Sequence, residues 1–147
     1  MRFSLLDRIC SFEPDVRLTS VKNVSLSEEY LADHFPEFPV LPGVFMIEAA
    51  AQSAAWLVRL SEDYRHSVIT LSETRSVRFV DFVTPGKSLK MSVEQTKRDG
   101  STVSFKFRGE VDDQLCVAGR LSLCCSNLAE QQEGADPSLD ELLISLQ

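Results

Sequence analysis

The stretch HFPEFPVLPGVFMIEAAAQSAAWLVR, residues 34–59, decides how this chain folds. Three prolines fall within residues 36–42, and each of them fixes φ and removes a backbone donor. The run that follows, 43–58, carries a single charged residue, Glu48. A helix that is apolar all round is a buried helix. We therefore predict an irregular loop and then a long buried helix over residues 43–60.

The charged residue inside this helix is the first candidate for chemistry. A buried carboxylate costs several kcal/mol unless it is paired or neutral. Glu48 and the nearby His34 are therefore the first candidates for an acid–base pair. Each also has a structural alternative. A lone histidine beside Phe-Pro is usually a structural residue, and a lone helical glutamate is often a polar contact at a dimer interface.

Composition limits the class of protein. A chain of 147 residues forms one domain that buries about two-thirds of its unfolded surface. The net charge of −7 argues against nucleic acid and anionic membrane surfaces as main partners, and the apolar run is too short to span a membrane. The four cysteines show no CxxC or zinc-ligand spacing and follow no secretory signal. We expect reduced thiols in a cytoplasmic protein, without a metal site.

The second half of the chain predicts an antiparallel sheet. Val103, Phe105 and Phe107 alternate with polar neighbours, which is typical of a half-buried strand. Asp99-Gly100 predicts a two-residue hairpin turn, and residues 112–114 predict a weaker one. The expected strands are Ser67–Leu71, Val77–Val83, Leu89–Arg98, Thr102–Val111 and Leu115–Cys125. One long helix followed by such a meander predicts an α+β fold in which a sheet wraps around the helix.

The N-terminal third is less regular. We expect a short helical turn over residues 4–9 and a first strand over 15–24. A further helical turn is predicted over 27–32, with Ser25 or Ser27 as its N-cap.

The C-terminal end is predicted to be a tail. Residues 127–136 (NLAEQQEGAD) have the composition of a linker. Ser138 and Glu141 have the spacing of a capping box, which predicts a short amphipathic helix ending near Leu146. We expect one domain over residues 1–126 and a linker with a short helix over 127–147.

The pattern HFPxxPVxPGVxxxEAxAQ, as it stands in residues 34–52, resembles the signature of the FabZ-type β-hydroxyacyl-acyl-carrier-protein dehydratases. The resemblance extends over most of residues 3–126, through LLDRI (5–9), VKNVS (21–25), RF (78–79) and PG (85–86). It implies a hotdog fold, an antiparallel sheet curled around one central helix. It also implies a homodimer with composite active sites, in which the histidine of one subunit faces the acidic residue of the other; trimers of dimers are common in the family.

The resemblance also implies roles for individual residues. His34 would take the proton from C2 of a 3-hydroxyacyl thioester, and Glu48 would deliver a proton to the departing C3 hydroxyl. The backbone N–H of Gly43, at the helix N-terminus, would polarise the thioester carbonyl. Gln52 lies four residues after Glu48 on the same helical face and would orient it or bridge to the loop, and it would also help to position the substrate. Val44 and Phe79 would help to position the substrate, and no metal or organic cofactor is needed.

Two features depart from the family pattern or leave a choice open. Asp33 and Glu37 stand where the family often has glycine, and an acidic side chain would be strained there if φ were positive.

The substrate is expected to be an acyl-carrier-protein or coenzyme A thioester. Carrier proteins are acidic, and Arg75, Arg78 and Lys87 are the candidate docking residues. The alternative is that these cations form an ordinary solvated face.

Two other functions remain open at this point. A hotdog thioesterase would use a helical carboxylate to promote attack by water, although the histidine of the HFP motif has no part in that scheme. A non-catalytic acyl-binding or assembly subunit is favoured by the departures at positions 33 and 37.

Overall fold

The computed structural model describes residues 3–35, 37–128 and 138–145. Its strands are β1 (Arg8–Glu13), β2 (Arg17–Asn23), β3 (Val68–Phe79), β4 (Ser88–Asp99), β5 (Thr102–Val111) and β6 (Gln114–Ser126). Its helices are a 3₁₀ turn (Glu29–Leu31), α1 (Gly43–Ser61) and α2 (Ser138–Ser145). The six strands form one antiparallel sheet in the order β1-β2-β4-β5-β6-β3. None of the helices in these ranges is long and apolar enough to cross a bilayer.

Helix α1 lies against one face of the sheet and closes the core. Its buried alanines let the sheet approach closely, and the large buried side chains of the strands fill the space around it. The helix is also joined to β2 by a buried hydrogen bond of 2.7 Å between the hydroxyls of Ser20 and Ser53, while Ser53 Oγ donates to Ala49 O at 2.7 Å. The predicted sheet around a long helix is confirmed, and so are the bounds of α1 to within one residue.

The prediction that α1 is buried all round is wrong for the single chain. One side of the helix is buried, whereas Glu48, Gln52 and Trp56 are half-buried and Val44 is 65% exposed. An apolar helix with one side uncovered needs a further surface to complete its burial.

Two predictions about the strands are corrected. The expected helical turn over residues 4–9 is wrong, because the chain enters β1 at Arg8 and pairs with β2. The side chains of β1 are almost all exposed, so its sequence has no alternation that indicates a strand. The two strands expected between Ser67 and Val83 are one strand, β3, with register shifts at Leu71/Glu73 and Arg75/Arg78. The middle of β3 is polar and exposed, so the sequence there has no apolar alternation that would indicate one continuous strand.

Both predicted hairpins are present. The first turn is shifted by one residue, because Asp99 pairs with Thr102 and leaves Gly100 and Ser101 as the loop. In the second, Val111 pairs with Gln114 around Asp112 and Asp113.

The 3₁₀ turn before α1 is held by a buried cation. Lys22 is only 7% exposed, and its Nζ lies 2.8 Å from Glu28 Oε1 and 3.4 Å from Asp7 Oδ1. The predicted serine cap is wrong: Glu28 is the N-cap and makes no side-chain cap bond. This ion pair fixes the start of the segment that leads to His34.

The predicted C-terminal helix is confirmed as α2, and most of the predicted linker lies outside the described residues. Asp140 Oδ1 accepts hydrogen bonds from Leu128 N at 2.8 Å and from the Ser67 hydroxyl. The helix is therefore attached to the beginning of β3. The division into a domain over 1–126 and a tail stays a prediction.

Candidate active site

His34 lies in the loop between the 3₁₀ turn and α1, and its ring is half-buried. Its Nδ1 is 2.9 Å from the carbonyl oxygen of Val40. Because a carbonyl oxygen only accepts, Nδ1 donates its hydrogen to it, and a neutral ring keeps its lone pair on Nε2. The loop thus holds an imidazole whose outer nitrogen can act as a base.

The backbone of this loop is fixed and locally strained. Phe38 N donates to Phe35 O at 2.8 Å, and Leu41 N donates to Val83 O at 2.8 Å, which ties the loop to the segment after β3. Phe35 has φ 56°, an unfavourable value for an aromatic residue. Asp33 is not among the described residues with positive φ. The backbone strain that was considered for position 33 is therefore found at Phe35 instead. Strain of this kind concentrates at functional sites.

Gly43 begins α1 directly after Pro42, the N-cap. The first N–H groups of a helix have no intrahelical acceptor, and the helix dipole favours negative charge beside them. A Cβ at Gly43 would lie 2.9 Å from Cε1 of Phe79, so only glycine allows this ring to approach. The side chain of Phe79 is nevertheless 52% exposed, and that of Val44, the residue after Gly43, is 65% exposed. Gly43, predicted to polarise the thioester carbonyl, and Phe79, predicted to help position the substrate, therefore lie close together at the helix N-terminus, and Val44 follows Gly43 there.

Glu48 is held by Gln52, one helical turn further along α1. Gln52 Nε2 donates to Glu48 Oε1 at 2.9 Å and also to Phe3 O at 3.2 Å. Its Oε1 accepts a hydrogen bond from Leu5 N at 2.8 Å. The amide thus bonds to the carboxyl group and fastens the N-terminal segment beside it, while the role of Gln52 at the site stays a prediction. The tie to residues 3–5 was not predicted, because no local sequence signal links positions so far apart.

A groove of about 350 Å³ runs between α1 and the edge of the sheet. It is lined by Glu48, Ala51, Gln52, Ala55, Trp56, Arg59, Ile69, Leu71 and Leu123. His34 does not line it. Within one chain, the structure therefore assigns the candidate acid to this groove and the candidate base to the loop before the helix.

A family model described as a FabA-like domain matches residues 1–120. The chain belongs to the FabA-like family. Among its relatives, the 3-hydroxyacyl-acyl-carrier-protein dehydratase FabZ of Janthinobacterium sp. (strain Marseille) is 39% identical over 120 residues, or 80% of this chain and 77% of that protein. The dehydratase FabZ of Streptococcus pyogenes serotype M3 (strain ATCC BAA-595 / MGAS315) is 34% identical over 121 residues, or 82% and 86%. The resemblance to the FabZ-type dehydratases is confirmed.

Solved structures show the same fold as this FabA-like chain. A chain of the dehydratase heterocomplex ApeI:P from Xenorhabdus doucetiae has a TM-score of 0.73 at 24% identity, covering 87% of this chain and 86% of that chain. The protein smu.793 from Streptococcus mutans, solved bound to acetyl CoA, has a TM-score of 0.64 at 13% identity, covering 86% and 93%. At these identities the likeness shows the fold alone, and the predicted hotdog fold is confirmed.

The three predicted docking cations of this FabA-like protein do not form one cluster of free charges. Arg75 Nε lies 2.8 Å from Glu73, and Lys87 Nζ lies 2.7 Å from Asp112. The hydrogen bonds to these carboxylates raise the pKa of both cations. Arg78 instead lines a groove of about 860 Å³ on the sheet face opposite α1.

This second groove, called here the outer groove, is basic in an acidic protein. Five cations line it, Arg17, Arg78, Lys106, Arg108 and Arg120, together with one carboxylate, Glu94. Arg17 and Arg108 are paired with Glu13 and Glu110. The other three have no carboxylate partner among the ion pairs of the described residues. The sequence did not predict this cluster, because its members come from four strands.

Proposed function

We propose that this protein is a hydro-lyase that removes water from 3-hydroxyacyl thioesters to give trans-2-enoyl thioesters in fatty-acid biosynthesis or a related acyl-chain pathway. The observation that carries the proposal is that hydrogen bonds hold both the candidate base and the candidate acid in position. Val40 holds the imidazole of His34 with Nε2 as the base, and Gln52 holds the carboxyl group of Glu48 on the helix that follows. This pair is what an elimination of water requires.

The reaction then follows from these groups. His34 Nε2 takes a proton from C2, and the released electron pair forms the C2–C3 double bond. The C3–O bond breaks, and the hydroxyl leaves as water with the proton that Glu48 donates. The N–H of Gly43 donates to the thioester oxygen, where negative charge develops. Return of the proton from the imidazolium to the carboxylate restores both groups.

We further propose that each active site is completed by a second copy of the chain. In one chain the groove of Glu48 lacks His34, and α1 has an uncovered side. Strand β3 is one of the two edge strands of the sheet, paired with β6 alone among the described strands, and apolar side chains around it are exposed. A second copy that covers this edge would bury the apolar surface and bring the imidazole of one protomer to the carboxyl group of the other.

The acyl group is proposed to arrive on a carrier protein. The outer groove supports this, because an acidic chain that concentrates cations on one face attracts an acidic partner there. Arg78 is the predicted docking residue that contributes most, since the charges of Arg75 and Lys87 are already compensated. We place the protein in the cytoplasm, where its four free cysteines would stay reduced.

The function is tested with a trans-2-enoyl thioester, by following loss of enoyl absorbance together with release of free thiol. Hydration without thiol release is expected from the wild type. His34→Ala and Glu48→Gln should each lower hydration at least about 100-fold, while Glu29→Gln, an exposed control, keeps it. Thiol release would instead indicate a thioesterase, and binding without either change a non-catalytic subunit. Hydration at near wild-type rate in either site variant would reject the assigned roles.

Mixing the two inactive variants tests the composite site. A dimer of one His34→Ala and one Glu48→Gln chain contains one intact site and one doubly damaged site. Random exchange of subunits should therefore restore about a quarter of wild-type activity. If each chain carried its own complete site, the mixture would remain inactive.

The docking surface is tested by charge reversal in the outer groove. Arg78→Glu combined with Arg120→Glu should lower kcat/KM for a carrier-bound substrate about tenfold or more at low salt. The coenzyme A thioester of the same acyl group should be turned over as before, and added salt should shrink the difference. Lys87→Glu is the control, because that cation is paired outside the groove. An equal loss with both substrates, or no loss with either, would reject the surface.

A further inference from the structure

The groove that starts at Glu48 follows one face of α1. Its helical residues are Glu48, Ala51, Gln52, Ala55, Trp56 and Arg59, a spacing that places them in one stripe along the helix. Ile69 and Leu71 of β3 and Leu123 of β6 form the opposite wall. The groove therefore has Glu48 at one end, further polar groups at Gln52 and Arg59, and between them apolar side chains that an acyl chain attached to the reacting carbons would contact.

Small residues line this groove between Glu48 and Trp56, and Arg59 lines it three residues beyond the indole. Ala51 and Ala55 contribute only methyl groups and are themselves buried, at 6% and 7% exposure. Trp56 lies two turns beyond Glu48, or about 12 Å along the helix at 1.5 Å per residue. An extended chain advances about 1.2 Å per bond, so about ten bonds span this distance.

The indole of Trp56 is held in place from two sides. Its ring lies 6.3 Å from that of Tyr64 in an edge-to-face arrangement, and the guanidinium carbon of Arg59 lies 6.0 Å from its centroid. Both contacts restrict the rotamers of the indole. Since the side chain is half-buried, it forms a rigid wall that still faces the groove.

We propose that Trp56 is the end of the acyl-chain groove and sets the longest chain that the protein accepts. The bound group is an unbranched apolar acyl chain, and this identity rests on the function proposed above. Chains shorter than about ten carbons end before the indole, and longer chains meet it. Trp56 is thus a specificity-determining residue outside the predicted acid–base pair.

The protein itself supplies a direct readout, because Trp56 is its single tryptophan. Indole fluorescence is measured while saturated butanoyl, octanoyl, dodecanoyl and hexadecanoyl coenzyme A are titrated into the wild type. These ligands bind without being dehydrated, so the measurement does not depend on catalysis. Butanoyl and octanoyl coenzyme A should leave the emission unchanged, and dodecanoyl coenzyme A should shift it. A shift that is equal for all chain lengths, or absent for all, would overturn the proposal.

A kinetic test separates this inference from the proposed function. Trp56→Leu, with Trp56→Phe as a second variant that removes less volume, should raise kcat/KM for a hexadecenoyl relative to an octenoyl thioester by about tenfold or more. Phe45→Leu is the matched control, because Phe45 is an aromatic residue of α1 that contacts Phe3 and Tyr30 outside the groove. If both Trp56 variants hydrate the substrates with an unchanged chain-length profile, the proposal that Trp56 ends the acyl-chain groove is rejected. Absence of hydration in every protein would reject the function, and the fluorescence result would still decide the inference.

Discussion

Tyr30 carries a hydroxyl group that is buried without a hydrogen-bond partner among the described residues. Its ring makes edge-to-face contacts with Phe45 at 4.8 Å and with Phe3 at 6.4 Å. Burial raises the pKa of Tyr30 to about 12, with further contributions from Glu28 and Asp7. An unsatisfied buried hydroxyl costs about 1–3 kcal/mol. The ring of Tyr30 therefore stabilises the fold through its contacts with Phe3 and Phe45, whereas its hydroxyl group destabilises the fold.

Tyr30→Phe is expected to keep or increase stability at pH 8, by up to about 2 kcal/mol. The phenol of the unfolded chain ionises near pH 10, whereas in the folded protein it ionises near 12. Ionisation of the phenol therefore has no effect on stability below pH 10, and it lowers the stability of the folded wild type as pH rises from 10 to 12. Urea denaturation of both proteins at pH 8 and pH 11 should show the wild type falling further behind the variant at the higher pH. A pH-independent difference would contradict this account.

At the scale of the elements, the turn between β5 and β6 stores backbone strain. Asp112 and Asp113 both have positive φ, 50° and 61°, as a two-residue turn of this hand requires. Aspartate tolerates this region better than most residues, but glycine adopts it without steric cost. The turn between β4 and β5 already has Gly100 at φ 58°.

Asp113→Gly should therefore stabilise the protein, by up to about 1 kcal/mol, and Gly100→Ala should destabilise it by a similar amount. The two changes are matched opposites, since Asp113→Gly removes a side chain and Gly100→Ala adds one, each at positive φ in a hairpin of the same sheet. Thermal unfolding of both variants beside the wild type is the measurement. A shift of both melting temperatures in the same direction would refute the strain argument.

The sequence predicted those elements whose signal is local. The bounds of α1 followed from the Pro42-Gly43 start and the apolar run, and β5 followed from the alternation around Phe105. Strand β1 was missed because an exposed edge strand is held by backbone bonds that leave no side-chain pattern. The motif predicts His34 and Glu48 as site residues, and their roles stay a prediction. The ties of Gln52 to residues 3–5 and the position of Trp56 in the groove depend on tertiary contacts, which sequence spacing does not encode.

At the scale of the whole molecule, one chain exposes several large apolar side chains that lie outside its core. Phe35, Phe38, Val44, Val80 and Phe82 are all more than half exposed. The rings of Phe38 and Phe82 contact each other, with centroids 6.0 Å apart, so the loop before α1 and the segment after β3 form a shared surface. This surface and the β3 edge are where we place the second copy.

Val80→Lys combined with Phe82→Lys is expected to convert the protein to a monomer and to abolish hydration, since two charges would be buried in the contact. Leu26→Lys is the control, because Leu26 is 74% exposed on the loop before the 3₁₀ turn. Sedimentation equilibrium and the enoyl assay should be run on all three proteins. A monomeric wild type, or a double variant that stays assembled, would contradict the proposed arrangement.

The hydrogen bonds from Gln52 to Phe3 and Leu5 have a practical consequence. Phe3 and Leu5 share the Gln52 amide with Glu48, so whatever is joined ahead of them is coupled to the geometry of that carboxyl group. An affinity tag fused at this end would perturb the very group whose kinetics the tagged preparation is meant to report. Fusions are better placed after residue 147, and rates from N-terminally tagged material are best compared with those obtained after the tag has been cleaved.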